Sequence, residues 1–370
     1  MDIDSFKMER WQSKWEHRVD YNLSESGVHP FSLEEMMAFS DVKNILNTRL
    51  GYIQTDGTPE LKKHIAGLYK GANEENILVT TGSSEANMIS IWSLVRPGTE
   101  TVFMLPNFMQ IYGLMKSFGA HMKTFFLKED KKWQPDLEEL KTAVTKKTEI
   151  ISITNPNNPT GAQLNEQAQE TILDLAKWSG AWLICDEVYQ GAELDEKITP
   201  SFWGRYDKTI VTCGLSKSYG LSGLRVGWAV APKNIIQNLW KYKDYTTISI
   251  SALSDRLACM ALESENRKKI FKRTRNIIRN NFDILIKWMD RQGSLFHCVP
   301  PKAGAITFPG YKKKTNASKL AEKVLREKSV LLQPGDHMEV DHHIRFGLGE
   351  ESEKFTAALN LLEEVFQKLD

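Results

Sequence analysis

The stretch CGLSKSYGLSGLRVGW, residues 213–228, decides how the chain is read. It sets a lysine, Lys217, and an arginine, Arg225, among glycines and small hydroxyl residues. Glycine lets backbone come close to a bulky ligand, a guanidinium suits a phosphate, and a lysine amine can act as a covalent handle. A Walker-type loop ending at Lys217-Ser218 would need glycine at 211 and 216, where the chain has Val211 and Ser216, so that reading fails.

Outward from this stretch, apolar runs alternate with helix-compatible segments such as 166–178. The runs are NILVTT (76–81), TVFML (101–105), EIISIT (149–154), AWLICDEV (181–188), TIVTCG (209–214) and VGWAVA (226–231). Such alternation predicts an α/β fold with a mostly parallel sheet between helices, and catalytic residues at the C-terminal ends of its strands. From about Ser251 to Gln292 the chain reads as one long helix, followed by short strands (AITFPG, VLLQPG, HIRFGLG) and a closing amphipathic helix. This is the layout of a smaller α+β lobe. The expected division is an N-terminal segment, 1–40, packing with the small domain; a large domain, 41–283; and a small C-terminal domain, 284–370. Met8, Trp11 and Trp15 fall at helical spacing and are expected to pack against the small lobe.

The balance of charge narrows the function. With 48 basic and 47 acidic side chains the net charge is +1, which gives no general attraction for nucleic acid or an anionic membrane. The N-terminus lacks the apolar run of a signal peptide, and nothing approaches the roughly 20 apolar residues of a membrane span. Cys185, Cys213, Cys259 and Cys298 are scattered, as expected of reduced thiols in a cytoplasmic protein. His337, His342 and His343, in HMEVDHH, match no standard metal spacing; the reading is a loop, and no metal site is expected. Lysine-rich YKKKTN and KEDKKW read as solvated turns.

Three further stretches carry chemistry. In TTGSSEANM (80–88) a strand ends, Gly82 turns, and a helix starts at Ser83 and Ser84, where free backbone N–H groups make an anion seat or a plain helix cap. In TNPNNPTG (154–161) two Asn-Pro pairs make a rigid turn that can aim an amide inward; a plain turn, which would not need Asn157 and Asn158 both, is the alternative. In AWLICDEVYQG a buried strand runs into Asp186 and Glu187, with Tyr189 beyond. A carboxylate there is costly unless partnered, and a protonated ring nitrogen would be one partner.

NPNNPTG, DEVY, SK followed by GLRVGW, and HIRFGLG together resemble the motif order of the class I/II aminotransferases, fold-type I pyridoxal-phosphate (PLP) enzymes, from about Asn22 to the C-terminus. The resemblance implies a seven-stranded, mostly parallel sheet in the large, PLP-binding domain. It implies a Schiff base on Lys217, which then shuttles the proton; Asp186 on the pyridinium nitrogen; Asn158 and Tyr189 on the ring's phenolic oxygen; and Phe108 stacked on the ring. Gly82, Ser83, Ser84 and Arg225 would hold the phosphate, with Ser216 compensating for Gly214, where the family often has serine. Tyr52 would reach the phosphate of a neighbouring subunit, implying a homodimer with shared sites. Arg345 would grip the substrate carboxylate, with Asn158 and Gly27 also lining the substrate. The activity implied is transfer of an amino group from an L-amino acid to a 2-oxo acid.

SESGVHP, KDYTTISIS and GAITFPGY also resemble the branch containing capreomycidine synthase, so a lyase or cyclase acting on a β-substituted amino acid is the alternative. A regulator retaining a dead enzyme fold is disfavoured by the intact lysine, aspartate and arginine. The substrate side chain is not legible, though Arg49, near Tyr52, is one candidate second cation.

Overall fold

The six apolar runs do become strands of a single sheet in the computed structural model, which describes residues 3–39 and 42–368. The expected boundary between residues 40 and 41 lies outside the described residues. The sheet order is Ile77–Thr80, Gly227–Val230, Thr209–Gly214, Trp182–Asp186, Thr148–Thr154, Glu100–Leu105, His121–Lys128, Gln134–Pro135. The four strands from Thr209–Gly214 to Glu100–Leu105, and His121–Lys128 beside them, run parallel, while Gly227–Val230 is antiparallel to both its neighbours. Strands buried on both faces read as unbroken apolar runs, which is why these were legible.

Two strands escaped that reading. His121–Lys128 mixes Lys123 and Thr124 with its apolar residues because it sits next to the edge and is only partly buried. Gln134–Pro135 is a two-residue antiparallel edge strand, so the sheet has eight strands where seven were expected. The long helix expected over 251–292 is two helices, Ala252–Leu262 and Ser264–Arg291, broken where Glu263 turns to ψ 137°.

Apolar side chains gather into two main cores. The larger surrounds the sheet; the smaller is built around Trp288, Phe346, Phe355 and Phe366. The helix Ser264–Arg291 gives Ile270 to the first and Ile278, Leu285 and Trp288 to the second. The N-terminal helix Lys7–Trp15 touches both: Trp11 Nε1 donates to the Leu332 carbonyl at 2.8 Å, while Met8 is buried with the larger core. Strand Tyr21–Asn22 then pairs in parallel with Val330–Leu331. No helix among the described residues is long and apolar enough to cross a membrane.

Register brings the chemistry together. Thr154, Asp186 and Thr212 are neighbours across three strands, and Thr80 and Gly214 both pair with Gly227. The loops leaving these strands therefore open at one level.

Candidate active site

A cavity of about 550 Å³ lies where those loops meet. Ser83, Ser84, Phe108, Asn158, Asp186, Tyr189, Ser216, Lys217, Arg225 and Arg345 all line it. Gly82 sits behind this wall, where an added Cβ would come 2.5 Å from Arg225 Nη2. Gly27 lies beside it: its Cβ position is 3.7 Å from Lys217 Cδ. Tyr52 is apart from the cavity, with 90% of its surface exposed.

Lys217 Nζ donates to Glu25 Oε1 at 3.0 Å. Burial pulls the lysine's pKa down, but the charge of Glu25 and the nearby Tyr189 outweigh it and hold the ammonium above its usual range. The same pairing, with backbone support from Gly27, outweighs partial desolvation and drives Glu25 down to about 2. Glu25 Oε1 also accepts from the Ser26 and Gly27 N–H groups at 2.9 and 2.8 Å, so the loop presents this carboxylate to the lysine.

Asp186 is the last residue of its strand and is 5% exposed. Burial lifts its pKa to about 6, against the opposing hydrogen bond from Asn87 Nδ2 at 3.2 Å. Asn87 is in turn fixed by Thr212, whose hydroxyl donates to Asn87 Oδ1 at 2.7 Å. Glu187, one residue on, points the other way: it accepts from Phe202 N and Ser201 Oγ at 2.9 and 3.0 Å and so anchors the following loop.

The two asparagines of the Asn-Pro turn divide their tasks. Asn157 Oδ1 accepts from the Thr160 hydroxyl at 2.6 Å and its amide donates to the Pro106 carbonyl at 3.1 Å, which closes the turn. Asn158 faces the cavity and accepts from Arg345 Nη1 at 2.9 Å. Arg345 is 1% exposed; its Nη2 donates to the Ser24 carbonyl at 2.6 Å and its Nε has no partner.

The anion seat combines Ser83 and Ser84 at the start of the helix Ser83–Leu94, which has no side-chain cap, with Arg225. Arg225 adopts φ 53° and donates from Nη1 to the Ser222 carbonyl at 3.0 Å, with Ser216 Oγ at 3.4 Å. Among the described residues no carboxylate pairs with it. The glycine at 214 has a steric reason: a Cβ there would lie 2.9 Å from the Val226 carbonyl and 3.1 Å from Gly227 Cα. Ser216 puts a hydroxyl into the cavity instead.

Sequence reasoning missed Glu25, Asn87 and Glu9. Asn87 had a usable signal, since it lies one helical turn after Ser83 on the same face. Glu25 and Glu9 had none, because only the folding of the N-terminal segment over the cavity brings them there.

PLP fits these residues. An uncapped helix start, hydroxyls and an arginine without a carboxylate partner suit a phosphate. The buried Tyr189 hydroxyl makes no hydrogen bond, and a donor left bare at a cavity wall is expected to meet a ligand atom. Asp186 needs a cationic partner to offset desolvation.

Comparison with known proteins gives the family. The family model for aminotransferase class I and II matches residues 27–362. Capreomycidine synthase of Streptomyces vinaceus is 28% identical over 89% of this chain and 85% of its own length. A probable aspartate aminotransferase of Methanocaldococcus jannaschii is 28% identical over 85% of each chain. The crystal structure of a PLP-dependent aminotransferase from Streptococcus suis superimposes with a TM-score of 0.94 at 31% identity, covering 100% of this chain and 99% of that one. With the fold, the cavity and the match over most of its length in agreement, the chain belongs to the class I and II aminotransferases, the PLP-dependent enzymes of fold type I.

Proposed function

We propose that the protein moves the amino group of an L-amino acid to a 2-oxo acid, with Lys217 as the proton carrier. The observation that best supports this is the convergence on one cavity of an amine, a buried carboxylate and a buried arginine, each held by different partners. PLP, when bound, supplies an electron sink that stabilises negative charge at the substrate Cα. Of the residues lining the cavity, Asp186 would pair with the protonated ring nitrogen, Tyr189 and Asn158 would hydrogen-bond the phenolic oxygen, Phe108 would cover the ring, and Ser83, Ser84, Ser216 and Arg225 would hold the phosphate. Arg345 grips the substrate carboxylate, which fixes the bond at Cα that is positioned to break. In its neutral form Lys217 Nζ would take the Cα proton, becoming the ammonium that Glu25 beside it steadies.

A homodimer belongs to the same reading. Leu46, Leu50 and Tyr52 are 71%, 83% and 90% exposed, an apolar surface that a second copy would cover, with Tyr52 reaching the neighbour's phosphate seat. The experiment adds a panel of amino acids, without any oxo acid, to purified enzyme and follows both the visible absorbance and the products. One equivalent of 2-oxo acid per site, with the band lost and not restored, supports transamination. Continuous release of ammonia with pyruvate, or of a cyclic amino acid without ammonia, overturns it.

One observation favours a second reading, PLP-dependent elimination or cyclisation of a β-substituted amino acid. Glu9, Glu16 and Glu25 all line the cavity, and this acidic wall suits a cationic side chain better than the second carboxylate of aspartate. The likeness to capreomycidine synthase points the same way. A β-hydroxylated cationic amino acid separates the two: transamination keeps the hydroxyl, whereas elimination expels it.

A further inference from the structure

Away from the cavity, Glu129, His297 and His343 bring three ligand atoms within 4.8 Å of one another. We propose that they form a divalent metal site of the zinc type, tying together the chain segments that carry the two cores. Glu129 follows the strand His121–Lys128 on the side of the larger core. His297 and His343 come from the segments around the smaller one, 168 and 214 residues away in sequence.

The geometry is that of a prepared site. Glu129 Oε2 lies 3.1 Å from Nε2 of each histidine. Two ligand atoms on one tetrahedral zinc, with bonds of about 2.0–2.1 Å, sit about 3.3 Å apart. His343 Nδ1 lies 2.9 Å from the Asp341 carbonyl, which accepts a hydrogen bond from the protonated Nδ1 and leaves Nε2 as a lone-pair donor, the arrangement that orients imidazole ligands on metals. Glu129 Oε1 is shielded from solvent and has no hydrogen-bond partner, so the carboxylate has an unused oxygen at the site. Room for both rings comes from Gly310, which pairs with His297 on one side and bridges to His343 on the other. A Cβ at Gly310 would sit 2.3 Å from His297 Nε2 and 3.0 Å from His343 Nε2. The ring of Phe308 stacks on His343 at 5.0 Å and holds its orientation. With two imidazoles and one carboxylate, zinc keeps a fourth position for water.

The test titrates zinc, and cobalt as a coloured substitute, into untagged PLP-loaded enzyme and into His297→Ala and Glu129→Gln. His297 is 46% exposed, so its replacement leaves the fold intact. The expected result is about one ion per chain, with affinity at least tenfold lower in both variants and a tetrahedral cobalt spectrum that disappears in Glu129→Gln. Absence of stoichiometric binding, or binding equally tight in His297→Ala, overturns the proposal.

Discussion

Replacing Glu25 by glutamine tests the charge coupling at the centre of the cavity. Glutamine keeps the carbonyl oxygen that accepts from Ser26 and Gly27, so the loop is retained while the charge 3.0 Å from Lys217 Nζ is removed. At that separation an ion pair is worth about 5.5 kcal/mol at an effective dielectric of 20 and about 1.4 kcal/mol in water. The Glu25 side chain is 46% exposed, so screening places the interaction near the aqueous limit. That corresponds to about one pK unit on Lys217. Only the neutral amine attacks a carbonyl, so covalent attachment of PLP to stripped enzyme rises with pH as Lys217 loses its proton. The midpoint of that rise, followed by visible absorbance or by borohydride trapping and mass spectrometry, is expected to fall by about one unit in Glu25→Gln. Below the midpoint, attachment becomes about tenfold faster. An unmoved midpoint, or a higher one, would refute Glu25 as the group that sets the amine's proton affinity.

Arg345→Lys cannot reproduce both donations, to Asn158 and to the Ser24 carbonyl; kcat/KM for the amino acid is expected to fall about 100-fold in steady-state assays, about 3 kcal/mol of lost transition-state binding. Asp186 has its pKa raised from 3.8 to about 6, so the stripped protein binds more protons than its unfolded chain across that window and loses stability as pH rises through it. Asp186→Asn without cofactor should therefore melt higher than the parent at pH 7, by the equivalent of about 3 kcal/mol, with no difference below pH 3.8, while transamination is lost. In Gly82→Ala the new Cβ, at a φ of 76° and 2.5 Å from Arg225 Nη2, displaces the arginine, and PLP affinity by equilibrium dialysis should drop tenfold or more.

Sequence and structure part company for physical reasons. Strands buried on both faces announce themselves by composition, and the loops leaving them bring Asp186, Asn158 and Lys217 to one cavity; the residues that line it were legible through the motifs that carry the family resemblance. His121–Lys128 was not, because a half-buried strand near an edge tolerates lysine and threonine. Likewise the helix break at Glu263 has no proline or glycine to mark it. Glu9 and Glu25 reach the cavity only through the path of the N-terminal segment, which is tertiary information. The histidines show the same limit: HMEVDHH alone reads as a loop, and His343 gains meaning only beside Glu129 and His297.

The charges lining the cavity also bear on which substrate it admits. On the proposed function Arg225 would serve a phosphate and Arg345 the substrate carboxylate, so Lys217, whose Nζ donates to Glu25 at 3.0 Å, is the cation left to balance it. Once the Lys217 amine is engaged in a covalent link, Glu25 loses much of its counter-charge, and Glu9 and Glu16 add to the deficit on the same wall. Burial already raises the pKa of Glu9, and the neighbouring carboxylates push it the same way, against the pull of Lys217 and Arg345. An incoming carboxylate side chain would meet like charge there, whereas an ammonium or guanidinium would relieve it. Acceptance of aspartate would thus require a cation from outside this chain; in the proposed homodimer Arg49, adjacent in sequence to the exposed Leu50 and close to Tyr52, would be the candidate from a second copy. Aspartate turnover that survives Arg49→Ala in the assembled enzyme would refute that assignment. Loss of aspartate turnover, with cationic substrates unaffected, is the outcome this charge balance requires.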